Sequence, residues 1–251
     1  MPLESRRRWG SKYLKNIRDA IVLVQGTGTG WDVISWAQLR PRQIIATDMF
    51  PFEDSWGEIA RYCYDRYQVR VDFRLSAIEA VPFLADNSVD LIASDAVYEH
   101  CRDLSAVMQE SFRILKPGGC IYASYGPLYF CASGDHFSGR GGLSTCFNHL
   151  GLEPEAYQRY LAANQEEIED FQGGARYIEL KLFSYLTTRQ YLKIYQAAHF
   201  VVKEIILEIS PKALQFKKIY PDKFDFIVNK YKDRCHPDDL LIKVNLIILQ
   251  K

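Results

Sequence analysis

Five residues early in the chain, Gly26-Thr27-Gly28-Thr29-Gly30, place three glycines at alternate positions directly after a short apolar run. A turn built this way lets backbone come close to a ligand, since no Cβ stands in the way. The spacing is G-x-G-x-G. In the dinucleotide pattern G-x-G-x-x-G the third glycine falls one residue later, so the two turns differ. Asp48 follows about 20 residues on, ending the next strand, where a carboxylate accepts hydrogen bonds from ribose hydroxyls. Met49 beside it is placed either to lie against an adenine ring or to pack in the core. A second group, Gly134-Asp135-His136, comes after Pro127-Leu128-Tyr129-Phe130. Histidine titrates near neutral pH, so His136 is the candidate general base, with Asp135 to orient it or raise its pKa. His100 is a second candidate. For both histidines the alternative is a structural contact at a turn or helix end. Asp135, His136 and His100 could in principle hold a divalent metal, but no paired-ligand spacing supports one, and none is expected.

The elements that must position these residues are an alternation of strands and helices. Residues 21–24 are a short apolar run that ends in the glycine turn and is predicted as a buried first strand. Residues 32–39 have helical spacing, with Val33, Trp36 and Ala37 on one side. Residues 43–48 form a second strand, 56–67 a helix, 69–75 a third strand and 89–94 a fourth. Residues 104–115 are an amphipathic helix closed by Lys116-Pro117-Gly118-Gly119, and 120–125 are the fifth strand. Strands separated by single helices imply parallel β-α-β units in a doubly wound sheet. Ligands of such sheets bind outside the carboxyl ends of the strands. After residue 125 the rhythm breaks. Residues 126–180 are glycine-rich, with a helix predicted over 154–170, and read as an inserted lid or substrate cap. A helix over 187–198, with Thr187 or Thr188 as its N-cap, then leads to a strand at 201–209. A lysine- and aromatic-rich connection over 211–236 precedes a last strand at 240–249. The whole chain, 1–251, reads as a single domain carrying this lid.

Residues 21–125 resemble the class I S-adenosylmethionine-dependent methyltransferases, in particular the small-molecule branch related to the ubiquinone/menaquinone methyltransferases. The residues that carry the resemblance come in order. They are the glycine turn, Asp48, Ala85-Asp86-Asn87-Ser88-Val89-Asp90-Leu91-Ile92, Ser94-Asp95-Ala96-Val97-Tyr98-Glu99-His100, and Phe112-Arg113-Ile114-Leu115-Lys116-Pro117-Gly118-Gly119. The resemblance implies a Rossmann-like α/β fold, a seven-stranded sheet whose last strand is antiparallel, and S-adenosyl-L-methionine as cofactor. It also implies roles. Gly26, Thr27, Gly28 and Gly30 would face the methionine and ribose portions, Asp48 would hold the ribose, and Met49 would flank the adenine. Ser76, Ala77 and Ile78 would line the adenine pocket, and Ser94 and Asp95 would lie near the transferred methyl. Two positions depart from the family. Val24 stands where an acidic residue often helps hold the methionine ammonium, and Ser76 stands where an aspartate often bonds the adenine amine.

Composition narrows the partners. Lysine plus arginine equals aspartate plus glutamate, so the net charge is zero and nothing global draws the chain to nucleic acid or an anionic membrane. The cluster Arg6-Arg7-Arg8 reads as a solvated terminus. No apolar run is long enough to span a bilayer, and no secretory signal follows the basic cluster. Six cysteines without metal-like spacing suit buried thiols in a reducing cytoplasm. Tyr125, Tyr129, Phe130 and Phe137 are placed to enclose a flat or apolar acceptor under the lid. The reading is therefore a methyltransferase acting on an oxygen or nitrogen of a small molecule. Three alternatives stand beside it. The first is a peptide or protein acceptor, with 212–232 as partner surface. The second is a non-catalytic cofactor-binding subunit, suggested by Val24 and Ser76. The third is a nicotinamide dehydrogenase, against which the glycine spacing and the 94–100 block argue.

Overall fold

A computed structural model describes residues 2–164 and 175–251. Seven strands form one sheet in the order β3-β2-β1-β4-β5-β7-β6. They are β1 (Ile21–Gln25), β2 (Gln43–Asp48), β3 (Arg70–Leu75), β4 (Val89–Asp95), β5 (Leu115–Tyr125), β6 (Val201–Ile209) and β7 (Ile242–Gln250). The first five pair in parallel, while β7 runs antiparallel to both β5 and β6. This is the expected Rossmann-like sheet with its antiparallel last strand.

The described helices are α1 (Leu3–Ser11), α2 (Trp31–Ala37), α3 (Glu53–Tyr67), α4 (Leu104–Ile114), α5 (Asn148–Gly151), α6 (Pro154–Ala163), α7 (Ala175–Glu179), α8 (Thr188–Ala197), α9 (Pro211–Ile219) and α10 (Pro221–Lys230). Two apolar clusters cover the two sheet faces, as parallel strands buried on both sides require. On one face Val22, Val24, Ile44 and Tyr122 pack against Val33 and Trp36 of α2 and Ile59 and Cys63 of α3. On the other, Leu23, Ile92, Ile121 and Ile247 pack against Val107 and Met108 of α4 and Tyr191 and Tyr195 of α8. Thr187 caps α8 in a reciprocal box with Gln190, one of the two caps foreseen. The Lys116-to-Gly119 stop ends α4 but lies within β5 as an irregularity. There the register with β4 shifts, and Lys116 Nζ bonds both oxygens of Asp90 at 2.8 Å.

Three expectations need correction. Residues 76–88, between β3 and β4, contain no helix. Side chains of α4 hold this segment instead. Val81 N–H donates to Glu110 at 2.7 Å, and Arg113 donates to the carbonyl of Leu84 at 2.9 Å, so the backbone polar groups are satisfied without a helix of their own. The connection over 211–236 is two helices. Ser210 caps α9, and a proline opens each helix, a starting position that suits its fixed φ and missing N–H. Phe216, Phe224 and Ile227 of these helices share a third apolar cluster with Phe130, Cys146, Phe147 and Leu150. This cluster is thus assembled from two separate stretches of chain. The helix predicted over 154–170 is α6 as far as Ala163; its residues 165–170, and Gly173 and Gly174, lie outside the described residues.

The third correction concerns the N-terminus, which is a docked helix. Gly10 of α1 lies so close to Tyr122 of β5 that an added Cβ would sit 2.8 Å from the ring. Glu204 on β6 accepts from Trp9 Nε1 at 2.6 Å and from the Tyr13 hydroxyl at 2.7 Å, and it pairs with Lys12. These donors, Lys12 foremost, hold the Glu204 carboxyl down at about 2 despite some burial. A depressed carboxyl stabilises the fold above its unfolded pKa and loses that contribution as pH falls toward its folded one. Glu204→Gln should cost about 1–2 kcal/mol at pH 7. The difference from the parent should shrink below the ordinary carboxyl value of 4.5, as read in urea unfolding curves from pH 7 to about pH 3.

Candidate active site at the carboxyl ends of the strands

Both sequence-predicted groups lie where a doubly wound sheet places ligands, beyond the carboxyl ends of β1, β2, β4 and β5. Gly26, Gly28 and Gly30 all have positive φ, at 65°, 51° and 95°, in the left-handed region that glycine adopts without steric cost. Their surroundings differ. A Cβ at Gly26 would lie 2.3 Å from Val97 and one at Gly30 3.1 Å from Phe73, whereas nothing lies within 4 Å at Gly28. Two glycines therefore serve close packing, and the middle one fronts open space.

Asp48 joins this turn directly. One carboxylate oxygen accepts the Gly28 N–H at 2.8 Å and the other the Phe50 N–H at 2.9 Å. A carboxylate has room for about four such bonds, so lone pairs remain for a ligand. Trp56 Nε1 donates to the Gly28 carbonyl at 2.7 Å and its ring stacks on Phe73, fixing the turn from α3. Sequence reasoning gave Trp56 no role in the turn. Thr27 Oγ1 and Ser94 Oγ are buried and have no hydrogen-bond partner. Met49 is exposed rather than packed in the core. Ser76 Oγ donates to backbone carbonyls of its own loop, Ala77 is exposed, and the Ile78 side chain packs in the core beside Val81 and Leu84, so at Ile78 only backbone is left to face a ligand.

Asp95 departs most from its expected setting. It receives Arg7 Nη1 at 2.5 Å and the Tyr122 hydroxyl at 2.8 Å. Arg7, read from sequence as part of a solvated terminus, is 1% exposed. Its guanidinium also donates to Ser35 at 2.7 Å, approaches Asp32 at 3.4 Å and lies over the Trp36 ring. A buried guanidinium needs this many partners to offset its desolvation. Burial, and then Asp95, push the Asp32 carboxyl up, with Arg7 opposing. No pattern in the three arginines told which one turns inward.

The histidine group forms around the turn after β4. Glu99, 1% exposed, accepts the Gly126 N–H on Oε1 at 2.8 Å, while its Oε2 has no partner. Burial raises its carboxyl to about 8 against the help of that N–H. His100 Nδ1 bonds the carbonyl of Leu182 at 2.9 Å and its ring stacks on Tyr177. The His136 ring centroid lies 4.8 Å from that of His100, and its buried Nε2 has no partner. Burial lowers both histidines to about 4, and for His136 the neighbouring His100 adds to the effect. Among the described residues, Glu99, His100 and His136 bring their ligating atoms within 4.8 Å of one another.

Asp135, expected to orient the His136 ring or raise its pKa, has no bond to that ring among the described residues; its charge does push the His136 pKa up, but burial and His100 outweigh it. Its oxygens accept from the N–H groups of Phe137 and Ser138 and from the hydroxyls of Ser138 and Tyr157. Burial pushes the Asp135 carboxyl up, and His149, Tyr157 and Ser138 together outweigh it, so the net shift is downward. The turn so formed holds His136 at φ 61°. Glu99 was quoted in sequence only as part of a longer block; its place beside His100 carried no separate signal. A cavity of about 300 Å³ opens elsewhere, between Phe147 of the cap and Phe216 and Phe226 of α9 and α10, and includes none of these residues.

Residues 23–123 match a family model described as a methyltransferase domain. Malonyl-[acyl-carrier protein] O-methyltransferase of Yersinia pestis is 36% identical over 104 residues, which are 41% of this chain and 36% of that protein. Demethylmenaquinone methyltransferase of Chlorobaculum parvum is 31% identical over 111 residues, 44% of this chain and 43% of that protein. The match thus spans less than half the length of these curated relatives. Among solved structures, an S-adenosylmethionine dependent methyltransferase from Mesorhizobium loti covers 100% of both chains with a TM-score of 0.58 at 13% identity. That likeness speaks for the fold.

Removing one partner of a buried ion pair leaves the other charge uncompensated, which costs about 3–5 kcal/mol. Arg7→Met should therefore lower the free energy of unfolding by roughly 3 kcal/mol, measured by urea denaturation. An exchange of Arg8, whose side chain bonds the exposed Glu4, should leave it within about 0.5 kcal/mol.

Proposed function

We propose that this chain, whose residues 23–123 are a methyltransferase domain, transfers a methyl group from S-adenosyl-L-methionine to an oxygen or nitrogen of a small molecule. The observation that carries the reading is the bond between Gly28 N–H and the Asp48 carboxylate. It puts an open glycine surface and a carboxylate with lone pairs to spare at one mouth of the sheet.

The residues fit an adenosyl sulfonium. Gly28 leaves a space that any Cβ would narrow. Thr27 and Ser94 bring unpartnered hydroxyls to the same edge, and Asp48 can accept from ribose hydroxyls while keeping its backbone bonds. Exposed Met49 can flank the adenine, with Ser76, Ala77 and the backbone of Ile78 beyond it. Val24 offers no charge to the methionine ammonium. Asp95 and Asp32 supply carboxylates nearby, with Arg7 balancing them.

The cofactor, when bound, supplies a methyl group already activated by the sulfonium charge. The chain has to align an acceptor lone pair and keep water out. Glu99, His100 and His136 follow β4 and β5 on the acceptor side. Burial keeps both imidazoles neutral at physiological pH, so their lone pairs are free to hold an acceptor hydroxyl or amine. With its pKa near 4, His136 is a weak proton acceptor by itself, and its part is foremost to position the acceptor. The O-methyltransferase name of the malonyl-[acyl-carrier protein] relative supports an oxygen acceptor. A second reading, an acceptor borne on a protein, is favoured by the exposed Leu214, Ile219 and Phe226 among the lysines of α9 and α10.

Calorimetric titration with S-adenosylhomocysteine tests the proposal. Binding should saturate at roughly 1–100 μM, the range common for such ligands. Asp48→Ala should weaken it about 10–100-fold through loss of charged hydrogen bonds, and Gly28→Val should abolish it. No saturation at millimolar ligand, or equal binding of a nicotinamide dinucleotide, would overturn the reading. Transfer of labelled methyl into a metabolite extract rather than into polypeptide would separate the two acceptor classes.

A further inference from the structure

We propose that Glu99, His100 and His136 form a binding site for a divalent transition-metal ion on the acceptor side of the cleft. Three observations converge on it. The first is the donor set, two imidazole nitrogens and one carboxylate oxygen, with all ligating atoms within 4.8 Å of one another. Two ligands about 2.1 Å from one ion lie at most about 4.2 Å apart, so small side-chain rotations close the set around an ion.

The second is that two of the three residues carry an orphaned polar atom. Glu99 Oε2 and His136 Nε2 are buried without a hydrogen-bond partner, in a fold where most buried polar atoms have one. Glu99 is 1% exposed, and its other oxygen is held by the Gly126 N–H, which leaves the second oxygen available. An ion would satisfy both orphans at once.

The third is the outer support. His100 Nδ1 donates to the Leu182 carbonyl at 2.9 Å. That bond sets the tautomer and leaves Nε2 with its lone pair, the arrangement found around metal-binding histidines. The His136 ring is held from behind by the turn that Asp135 caps. Asp135 is not a ligand, since its oxygens are taken by Ser138, Tyr157 and backbone. The mixed nitrogen and oxygen set suits Zn²⁺, Co²⁺, Fe²⁺ or Mn²⁺ better than Mg²⁺ or Ca²⁺, which favour oxygen. All six cysteines are buried and stand outside the group. Three protein ligands leave coordination positions open, and an acceptor with a hydroxyl or carboxylate oxygen would take one of them. Only this last step rests on the methyltransferase reading; the ion site does not.

The test uses the full chain, stripped with chelator, dialysed and titrated with Co²⁺, whose visible absorption reports its ligands, with zinc content measured in parallel. One ion per chain is expected, together with a higher thermal midpoint in its presence. Glu99→Gln, which keeps an oxygen for Gly126, and His136→Ala should each weaken binding more than about 100-fold, beyond what loss of an outer-shell partner costs. His199→Gln, at an exposed histidine, should leave it unchanged. Circular dichroism confirms that each variant folds; should His136→Ala unfold, His136→Gln takes its place. No saturable binding up to about 1 mM Co²⁺, or binding retained in both Glu99→Gln and the His136 variant, overturns the site. S-adenosylhomocysteine is titrated on the same samples. Cofactor binding without metal binding overturns this inference alone, and metal binding without cofactor binding upholds it while overturning the proposed function.

Discussion

One carboxylate joins the two turns on which the site is built. Asp48 ends β2, and its oxygens accept the N–H of Gly28 from the turn after β1 and the N–H of Phe50 from its own. Parallel pairing of β1 with β2 sets Thr47 level with Gln25, so both strands release their chains at the same height. That common height is what lets a short side chain span the gap. The glycine conformation, the open space at Gly28 and the anchoring of Trp56 on the Gly28 carbonyl all presuppose it. In a parallel sheet every strand delivers its carboxyl end to the same edge, and the site follows from that constraint more than from any single residue.

The second half of the site depends on how β4 leaves the sheet. Val97 packs where a Cβ on Gly26 would otherwise stand, and within three residues the chain reaches Glu99 and His100. The glycine turn and the histidine group are therefore neighbours through one tight contact. Burial sets the chemistry of that group. Glu99 rises to about 8 while His100 and His136 fall to about 4, so all three are neutral in the folded chain near pH 7. Neutrality lowers the cost of keeping them out of water.

What could be read from the residues was what local pattern encodes. Runs such as 21–24 and 89–94 gave strands because they are short, apolar and followed by turn residues. The antiparallel last strand came from family resemblance and not from spacing. Long-range partners were invisible. Arg6, Arg7 and Arg8 look alike in sequence, and only the docking of α1 against Tyr122 decides that Arg7 turns toward Asp95. Asp135 next to His136 suggested a pair, but its nearest donors are backbone and hydroxyls three and twenty-two positions away. The helix pair over 211–230 was a legible feature passed over, since Ser210-Pro211 is a strong start and lysine-rich composition obscured it. The absence of a helix before β4 was not legible, because Glu110 and Arg113, which make it unnecessary, lie beyond the strand.

The third apolar cluster is contributed by one stretch that leaves β5 and another that lies between β6 and β7. Both are tethered to neighbouring strands of the same sheet. Substitutions can accumulate there without disturbing the glycine turn, since the two regions draw on different side chains. On the proposed reading, selectivity toward the methyl-accepting compound and grip on the methyl donor are then separately tunable. Exchanging this cluster among sheets of this kind would be a modular route to new chemistry, provided that both stretches travel together.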